Sequence, residues 1–355
     1  MLTLFKISIM KNPMKHAALF TLFSLAAIPS FSQSKDSADY YYQKGLLEKQ
    51  NGRRLESLKQ FEKAIKYDAN SKPVLNELAS AYVDLRKQAQ AIDTYKKLVE
   101  LGDATASTFK QLLILSFNYK NSDDVLLYAG KLKAADPSEK VSFYLGKVQY
   151  DRDNYGEAIQ YLNTAIKEEP QNAEAPYMIA RSYADMMNYK QAIPYFQKAI
   201  QLDTSKVYWI YEMALIYYAM NDDKNSLKYM LVAADKGMKK DNDFMENLGI
   251  AYLNAGDLKN GIVIMDEILK RKPSDISILN MVAEAYYDKG KYQEAIDYWD
   301  KILFYDKQNA SALYMIGMSF QKKGEKEKGQ LLCDKAIAMD PSLESKRQKK
   351  MMMGM

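Results

Sequence analysis

The residue types that carry most enzyme chemistry are nearly missing from this chain. It holds one histidine, His16, and one cysteine, Cys333, in 355 residues. A serine or cysteine nucleophile needs a base beside it, most often imidazole, to take its proton. Once the N-terminal segment that holds His16 is set aside, no such pair can be assembled. Most zinc sites draw on imidazole and paired thiolates, and neither is on offer. A lone cysteine forms no intramolecular disulfide, so stability does not depend on crosslinks. Two acidic pairs, Asp123-Asp124 and Asp222-Asp223, supply oxygen donors for calcium or for acid–base work. No Asp-x-Asp-x-Asp-Gly loop surrounds them. Both precede a helical pattern, where aspartate caps the helix and meets the positive end of its dipole. Met351, Met352, Met353 and Met355 offer thioethers for Cu(I), but a frayed polar tail explains that stretch more simply. The chain therefore reads as non-enzymatic, with no catalytic residue, metal or cofactor.

Charge points away from nucleic acid. The formal net charge is +5, and residues 1–32 hold three of the 50 bases and none of the 45 acids. The remainder is close to neutral, without the basic surplus that a phosphate backbone calls for. Apolar residues make up 48% of the chain, enough for an extensive core.

Residues 1–32 have the pattern of a secretory signal. Lys6, Lys11, Lys15 and His16 precede an apolar run from Ala17 to Ile28, interrupted only by Thr21 and Ser24, and Pro29 ends it. Ser30-Phe31-Ser32 supplies small residues around a cleavage point before Gln33. The run is too short for the ~20 residues that a membrane span needs; an uncleaved anchor is the alternative. No cysteine follows the run, which disfavours a lipid anchor, and no later run is long enough to span. Translation from Met1, Met10 or Met14 would preserve the signal. The expectation is export to the bacterial periplasm, to the outer membrane or out of the cell, with residues 33–37 as a short linker.

From residue 38 a repeat takes over. Asn154-Tyr155-Gly156-Glu157-Ala158-Ile159 returns as Lys291-Tyr292-Gln293-Glu294-Ala295-Ile296, and Ala135-Asp136-Pro137 as Met339-Asp340-Pro341. Nine repeats start at residues 38, 72, 106, 139, 173, 207, 242, 276 and 310 and run to residue 343. Each holds two amphipathic patterns. In the eighth, Leu279, Val282, Ala283 and Tyr286 mark the first helix and Ile296, Trp299, Ile302 and Leu303 the second, with Gly290 as the break between them.

Small residues occupy two columns. The eighth place holds Gly45, Ala79, Leu113, Gly146, Ala180, Ala214, Gly249, Ala283 and Gly317, and the twentieth Ser57, Ala91, Val125, Ala158, Ala192, Ser226, Gly261, Ala295 and Gly329. Helix axes that approach to about 8–10 Å need small side chains where they touch. Tyr82, Tyr183, Tyr217, Tyr252, Tyr286 and Phe320 share the eleventh place and fill wider gaps. Repeat three departs most, with Leu113, Ser116 and Val125, so a local irregularity is expected there. Pro176 falls in a first helical turn, where its missing N–H costs little, and Pro194 falls early in a second helix.

This arrangement resembles the tetratricopeptide repeat. Leu145-Gly146, Tyr155, Ala158, Ala165 and Pro170 match its pattern in repeat four, and Ile316-Gly317, Phe320, Gly324, Ala336 and Pro341 match it in repeat nine. The resemblance covers residues 38–343. It implies an all-α fold, a right-handed superhelical α-α solenoid of about nine helix-turn-helix repeats, with residues 344–355 as a basic, Met-rich tail or cap. It also implies that places two, five, nine and twelve of each repeat face a concave groove. Those places hold Tyr42, Lys110, Phe117, Phe143, Lys147, Tyr150, Tyr177, Arg181, Tyr208, Tyr211, Tyr218, Tyr287 and Tyr314. Glu246 and Glu284 follow in repeats seven and eight, and Trp209 falls near the same face. Tyrosine offers contact area at low entropy cost and a hydroxyl for orientation. The implied function is an exported protein–protein interaction scaffold that binds a peptide or partner protein in a tyrosine-rich groove. The basic residues would favour an acidic stretch and the later glutamates a basic one. The alternative is that the rings serve as packing for adjacent helices. The chaperone-tail clamp of the family, which needs lysine, asparagine and arginine at set places, has no match in any three successive repeats. The alternatives in function are a structural or assembly subunit of a cell-envelope complex and, more remotely, an enzyme accessory subunit.

Overall fold

The computed structural model describes residues 34–345. The expected signal, its cleavage point and most of the Met-rich tail lie outside that range. The described residues form eighteen α-helices and one 3-10 turn, and no strand occurs among them. No described helix is long and apolar enough to cross a membrane.

The first helices of the repeats are α1 (residues 34–50), α3 (Lys72–Asp84), α5 (Ala106–Asn118), α7 (Ser142–Asp151), α9 (Glu174–Asp185), α11 (Val207–Ala219), α13 (Asn242–Asn254), α15 (Ile276–Asp288) and α17 (Ala310–Lys322). The second helices are α2 (Arg54–Tyr67), α4 (Gln88–Glu100), α6 (Ser122–Ala135), α8 (Tyr155–Glu168), α10 (Tyr189–Leu202), α12 (Asp223–Asp235), α14 (Leu258–Arg271), α16 (Tyr292–Tyr305) and α18 (Lys326–Met339). A 3-10 turn, Pro341–Leu343, follows. From α3 to α18, each first helix packs on the second helix of its own repeat. The helices form two compact units, one ending at Pro170 and one beginning at Gln171. Within each, consecutive repeats are joined by a second helix packing on the next first helix, as α4 does on α5 and α14 on α15.

The small-residue columns explain the tight pairing. Ala79, Ala91, Ala180, Ala192, Ala283 and Ala295 are fully buried between the paired helices. Large side chains fill the space around them. Trp299, Phe61, Phe196 and Phe244 are all but inaccessible, and burying each contributes about 1.5–3 kcal/mol. Ser57 and Ser182 are buried as well, and their hydroxyls donate to the carbonyls of Gly45 and Met178.

One conformation recurs at the fifteenth place of every repeat. Gly52, Arg86, Lys120, Asp153, Met187, Asn221, Gly256, Gly290 and Gly324 all have positive φ, from 56° at Asn221 to 95° at Gly324. A single left-handed residue ends the first helix and turns the chain into the second. Both acidic pairs sit at these turns, but only one of them supplies the cap. Asp222 caps α12, its carboxylate accepting from the Asn225 N–H, and Asp223 follows in the first turn. In α6 the cap is Asn121, with Asp123 and Asp124 in the first turn.

Two boundaries differ from the sequence reading. Residues 34–37, expected as linker, are already helical. Ser34 Oγ donates to the Tyr67 carbonyl and Ala38 is buried, which ties this stretch to the repeat. Repeat three keeps two full helices, with Leu113 and Val125 buried inside the pair. The irregularity sits at its far end instead. The Ser138 N–H and hydroxyl both donate to Asp136 Oδ1, and Lys133 Nζ donates to the Glu139 carbonyl. That turn delays the start of α7 to Ser142. At the C-terminal end of the repeats, Leu343 is buried against Tyr314 and Cys333.

Candidate functional site

In the N-terminal compact unit the expected groove residues lie on three first helices, α1, α5 and α7. Tyr42, on α1, packs its ring 6.2 Å from Phe61, beside Leu58 and Leu78. Phe117, at the end of α5, meets Phe143 at 6.3 Å and stands edge-on to Tyr144 at 4.9 Å. Phe143, Lys147 and Tyr150 follow on α7. Lys147 Nζ lies 2.6 Å from Asp151 Oδ1 and 5.4 Å from the centre of the Tyr150 ring. Lys110 sits apart on α5 and is bound by Glu139, with both carboxylate oxygens at 2.9 Å.

In the C-terminal compact unit the site centres on α9 and α11. Tyr177 stacks on Trp209, ring centres 4.4 Å apart and planes 15° apart, and is edge-on to Phe196. Burial pushes the Tyr177 hydroxyl well above its ordinary pKa, helped by its hydrogen bond to Glu212. Glu212 is itself pushed up by burial, against the opposing effects of Tyr177 and Arg181. Arg181 Nε stands 4.0 Å from Glu212 Oε1, while Glu212 Oε2 is buried without a hydrogen-bond partner. Tyr208 and Tyr218 are the open rings, 52% and 45% exposed. Tyr287 is half-buried, edge-on to Trp299.

Tyr211 and Tyr314 do not line an open face. They are 7% and 4% exposed. A tyrosine at place five is long enough to reach the neighbouring element. Tyr211 turns onto Phe244, and its hydroxyl accepts from Asn247 Nδ2 at 2.7 Å. Tyr314 joins Met318, Cys333 and Leu343. Cys333 is a small buried side chain whose thiol points at the Tyr314 carbonyl.

Glu212 escaped the sequence reading. Its signal was available: it is the sole charged residue of α11, flanked by Tyr211 and Met213. Asn280 escaped as well. Its Oδ1 accepts from Trp299 Nε1 and its Nδ2 donates to Glu284, so it links the core to the surface.

Paired helices with small residues at their crossings, a left-handed turn at a fixed place and stacking between neighbours define a helix-turn-helix repeat protein. Family models for the tetratricopeptide repeat match residues 38–71, 73–101 and 281–344. A model described as anaphase-promoting complex, cyclosome, subunit 3 matches residues 118–199. The chain is a tetratricopeptide repeat protein. Among solved structures, it is similar to the C-terminal part of a repeat protein from Cytophaga hutchinsonii, with 17% identity, 78% of this chain and 99% of that chain covered and a TM-score of 0.47. It is similar to YrrB, described as having an unusual peptide-binding site, with 21% identity, 52% and 97% coverage and a TM-score of 0.42. It is also similar to MamA AMB-1, with 24% identity, 47% and 92% coverage and a TM-score of 0.42. No curated protein matches the sequence.

Proposed function

We propose that this chain is an exported, non-catalytic scaffold that binds a protein or peptide along its first helices, and that nucleic acid is not a partner. One observation carries the reading. Tyr208 and Tyr218 are exposed on α11, and the half-buried Tyr177 of α9 is backed by the buried Trp209, with the partly buried Glu212 paired to Arg181 on the same two helices. Rigid aromatic rings bury contact area without losing much side-chain freedom, and the adjacent polar groups orient what they hold. The half-buried rings of Phe117, Phe143 and Tyr150 offer a comparable, smaller surface in the N-terminal unit. The test replaces Tyr177, Tyr208 and Tyr218 together with serine and measures capture of the partner from the cell-envelope fraction. Loss of capture with the helical signal intact supports the proposal; undiminished capture refutes it.

Export rests on the signal-like residues 1–32, and N-terminal sequencing of the mature protein should find Gln33 first. A second reading, an assembly subunit of an envelope complex, draws support from Phe304 and Leu331, which are 75% and 71% exposed on second helices. Co-purification in fixed stoichiometry with one complex would favour it.

A further inference from the structure

A notch opens between consecutive first helices at the same places of the repeat in both compact units. Between repeats three and four it measures about 560 Å³ and is bounded by Phe117 at place twelve, Lys120 at place fifteen, and Lys147 and Asp151 at places nine and thirteen of the next repeat. Between repeats seven and eight it measures about 400 Å³, and the matching places hold Leu253, Gly256, Glu284 and Asp288. The cavity is therefore a property of the repeat, while its charge is a property of the sequence. The basic side chain at place nine of the first notch is a carboxylate in the second. Asp223, from the start of α12, adds a third carboxylate to the rim.

We propose that the notch between repeats seven and eight binds a lysine or arginine side chain of the protein partner. This rests on the reading that the first helices bind a protein, and it names the chemistry of one subsite. The aliphatic stem would lie on Leu253, Met281 and Ala285, with the cationic head among Asp223, Glu284 and Asp288.

Three observations converge on a cation. First, the basic groups singled out on the first helices are matched within the chain: Lys110 by Glu139, Lys147 by Asp151 and Arg181 by Glu212. The three rim carboxylates are not. Among the described residues, none of Asp223, Glu284 and Asp288 is in an ion pair, unlike Glu212 and Glu325. The one polar contact at this rim, from Asn280 Nδ2 to Glu284 Oε1, is neutral and leaves the charge uncompensated. Second, Lys289 is the single base lining the notch. Its Nζ lies at the turn, 3.2 Å from where a Cβ on Gly256 would stand. Three carboxylates against one ammonium leave a net negative opening, and like-signed acids gathered around a cleft focus their field on an entering cation. Third, the floor is apolar and the rim is wet, with Glu284 and Asp288 exposed. Lysine and arginine suit that combination because they bury a hydrocarbon stem while keeping the charge hydrated.

The test uses the full chain with labelled methionine and alanine methyl groups, followed by NMR during titration with N-acetyl-arginine amide. N-acetyl-norleucine amide and N-acetyl-glutamate amide serve as comparisons. The expected result is a saturable shift of the Met281 and Ala285 methyls with the arginine probe alone, weakened by added salt. Glu284→Gln with Asp288→Asn should weaken it at least tenfold; glutamine keeps the acceptor for Asn280, so α15 and Trp299 stay in place. Lys289→Met should tighten it several-fold. Equal shifts with the norleucine probe, or unchanged affinity in the double variant, would overturn the proposal. The two readings fail separately. Partner capture that needs Tyr208 and Tyr218 but survives the double variant removes the notch and keeps the scaffold. Arginine binding at Met281 with capture indifferent to the tyrosines does the reverse.

Discussion

Gly317 and Gly329 face each other backbone to backbone. A Cβ on Gly317 would stand 2.8 Å from the Gly329 carbonyl oxygen, and one on Gly329 would stand 2.5 Å from the Gly317 carbonyl oxygen. Neither oxygen belongs to a flexible side chain, so the helices themselves would have to part. Repeat eight has Ala283 and Ala295 at the same places, and its helices therefore accommodate the methyl groups that repeat nine excludes. Gly317→Ala or Gly329→Ala should lower stability by about 1–3 kcal/mol, the usual range for overpacking. Chemical denaturation of each variant checks this, with Gly130→Ala as a control at a helical glycine where an added Cβ meets nothing within 4 Å.

The left-handed turn residue gives a second, opposite expectation. Met187 has φ 59° and is 76% exposed, so no packing accounts for its side chain. A left-handed conformation costs a side-chain-bearing residue roughly 1–2 kcal/mol, and glycine is free of that cost but loses more chain entropy on folding. Met187→Gly should therefore stabilise the protein by about 0.5–1 kcal/mol, and Gly290→Ala should destabilise it by a similar amount. Thermal melts of the two variants should move in opposite directions.

Glu212 makes stability depend on acidity. Its pKa is raised in the folded state, chiefly by burial. The folded protein thus holds that proton more tightly than the unfolded chain. The contribution is full below the ordinary carboxylate value of 4.5 and is lost as pH rises through the folded value. Glu212→Gln should flatten this part of the stability profile, measured as denaturation midpoints across the mildly acidic range. An unchanged slope would show that Glu212 is not desolvated.

A parallel effect operates at high pH. The Tyr298 hydroxyl donates to Asp266 Oδ1 at 2.6 Å, and burial, then this bond, raises its pKa. Its stabilising contribution is intact below the ordinary value of 10.0 and disappears as pH rises through the raised folded value. Tyr82 behaves alike, pushed up to about 12 by burial and by its bond to Glu62. Tyr298→Phe should reduce the loss of stability above pH 10, read from alkaline unfolding by circular dichroism.

The repeat register was legible because residue size alternates with helical phase. Six first helices, those beginning at Lys72, Ala106, Val207, Asn242, Ile276 and Ala310, start on the first place of their repeats. What the spacing could not separate was Tyr208 from Tyr211. Both lie on α11, three residues apart, and only the approach of Phe244 on the next first helix decides that one is open and the other buried. The turn conformation was visible where glycine supplies it and hidden at Arg86, Lys120, Asp153, Met187 and Asn221. These five share no residue type, because hairpin geometry imposes the dihedral. The pairing of Lys110, Lys147 and Arg181 with carboxylates of this chain was also hidden in the sequence. Their neutralising partners sit four residues or more away in the chain, and Glu139 and Glu212 belong to the next repeat.

The central claim is that the first helices hold a protein partner, and site-specific photo-crosslinking tests it most directly. A photoreactive residue is placed in turn at Tyr208, at Tyr218 and at Val263, which is 62% exposed on a second helix. Each protein is then expressed in its native cells and irradiated. The account expects one discrete crosslinked species from positions 208 and 218 and none from 263. A species from 263 alone, or the same species from all three positions, would contradict it.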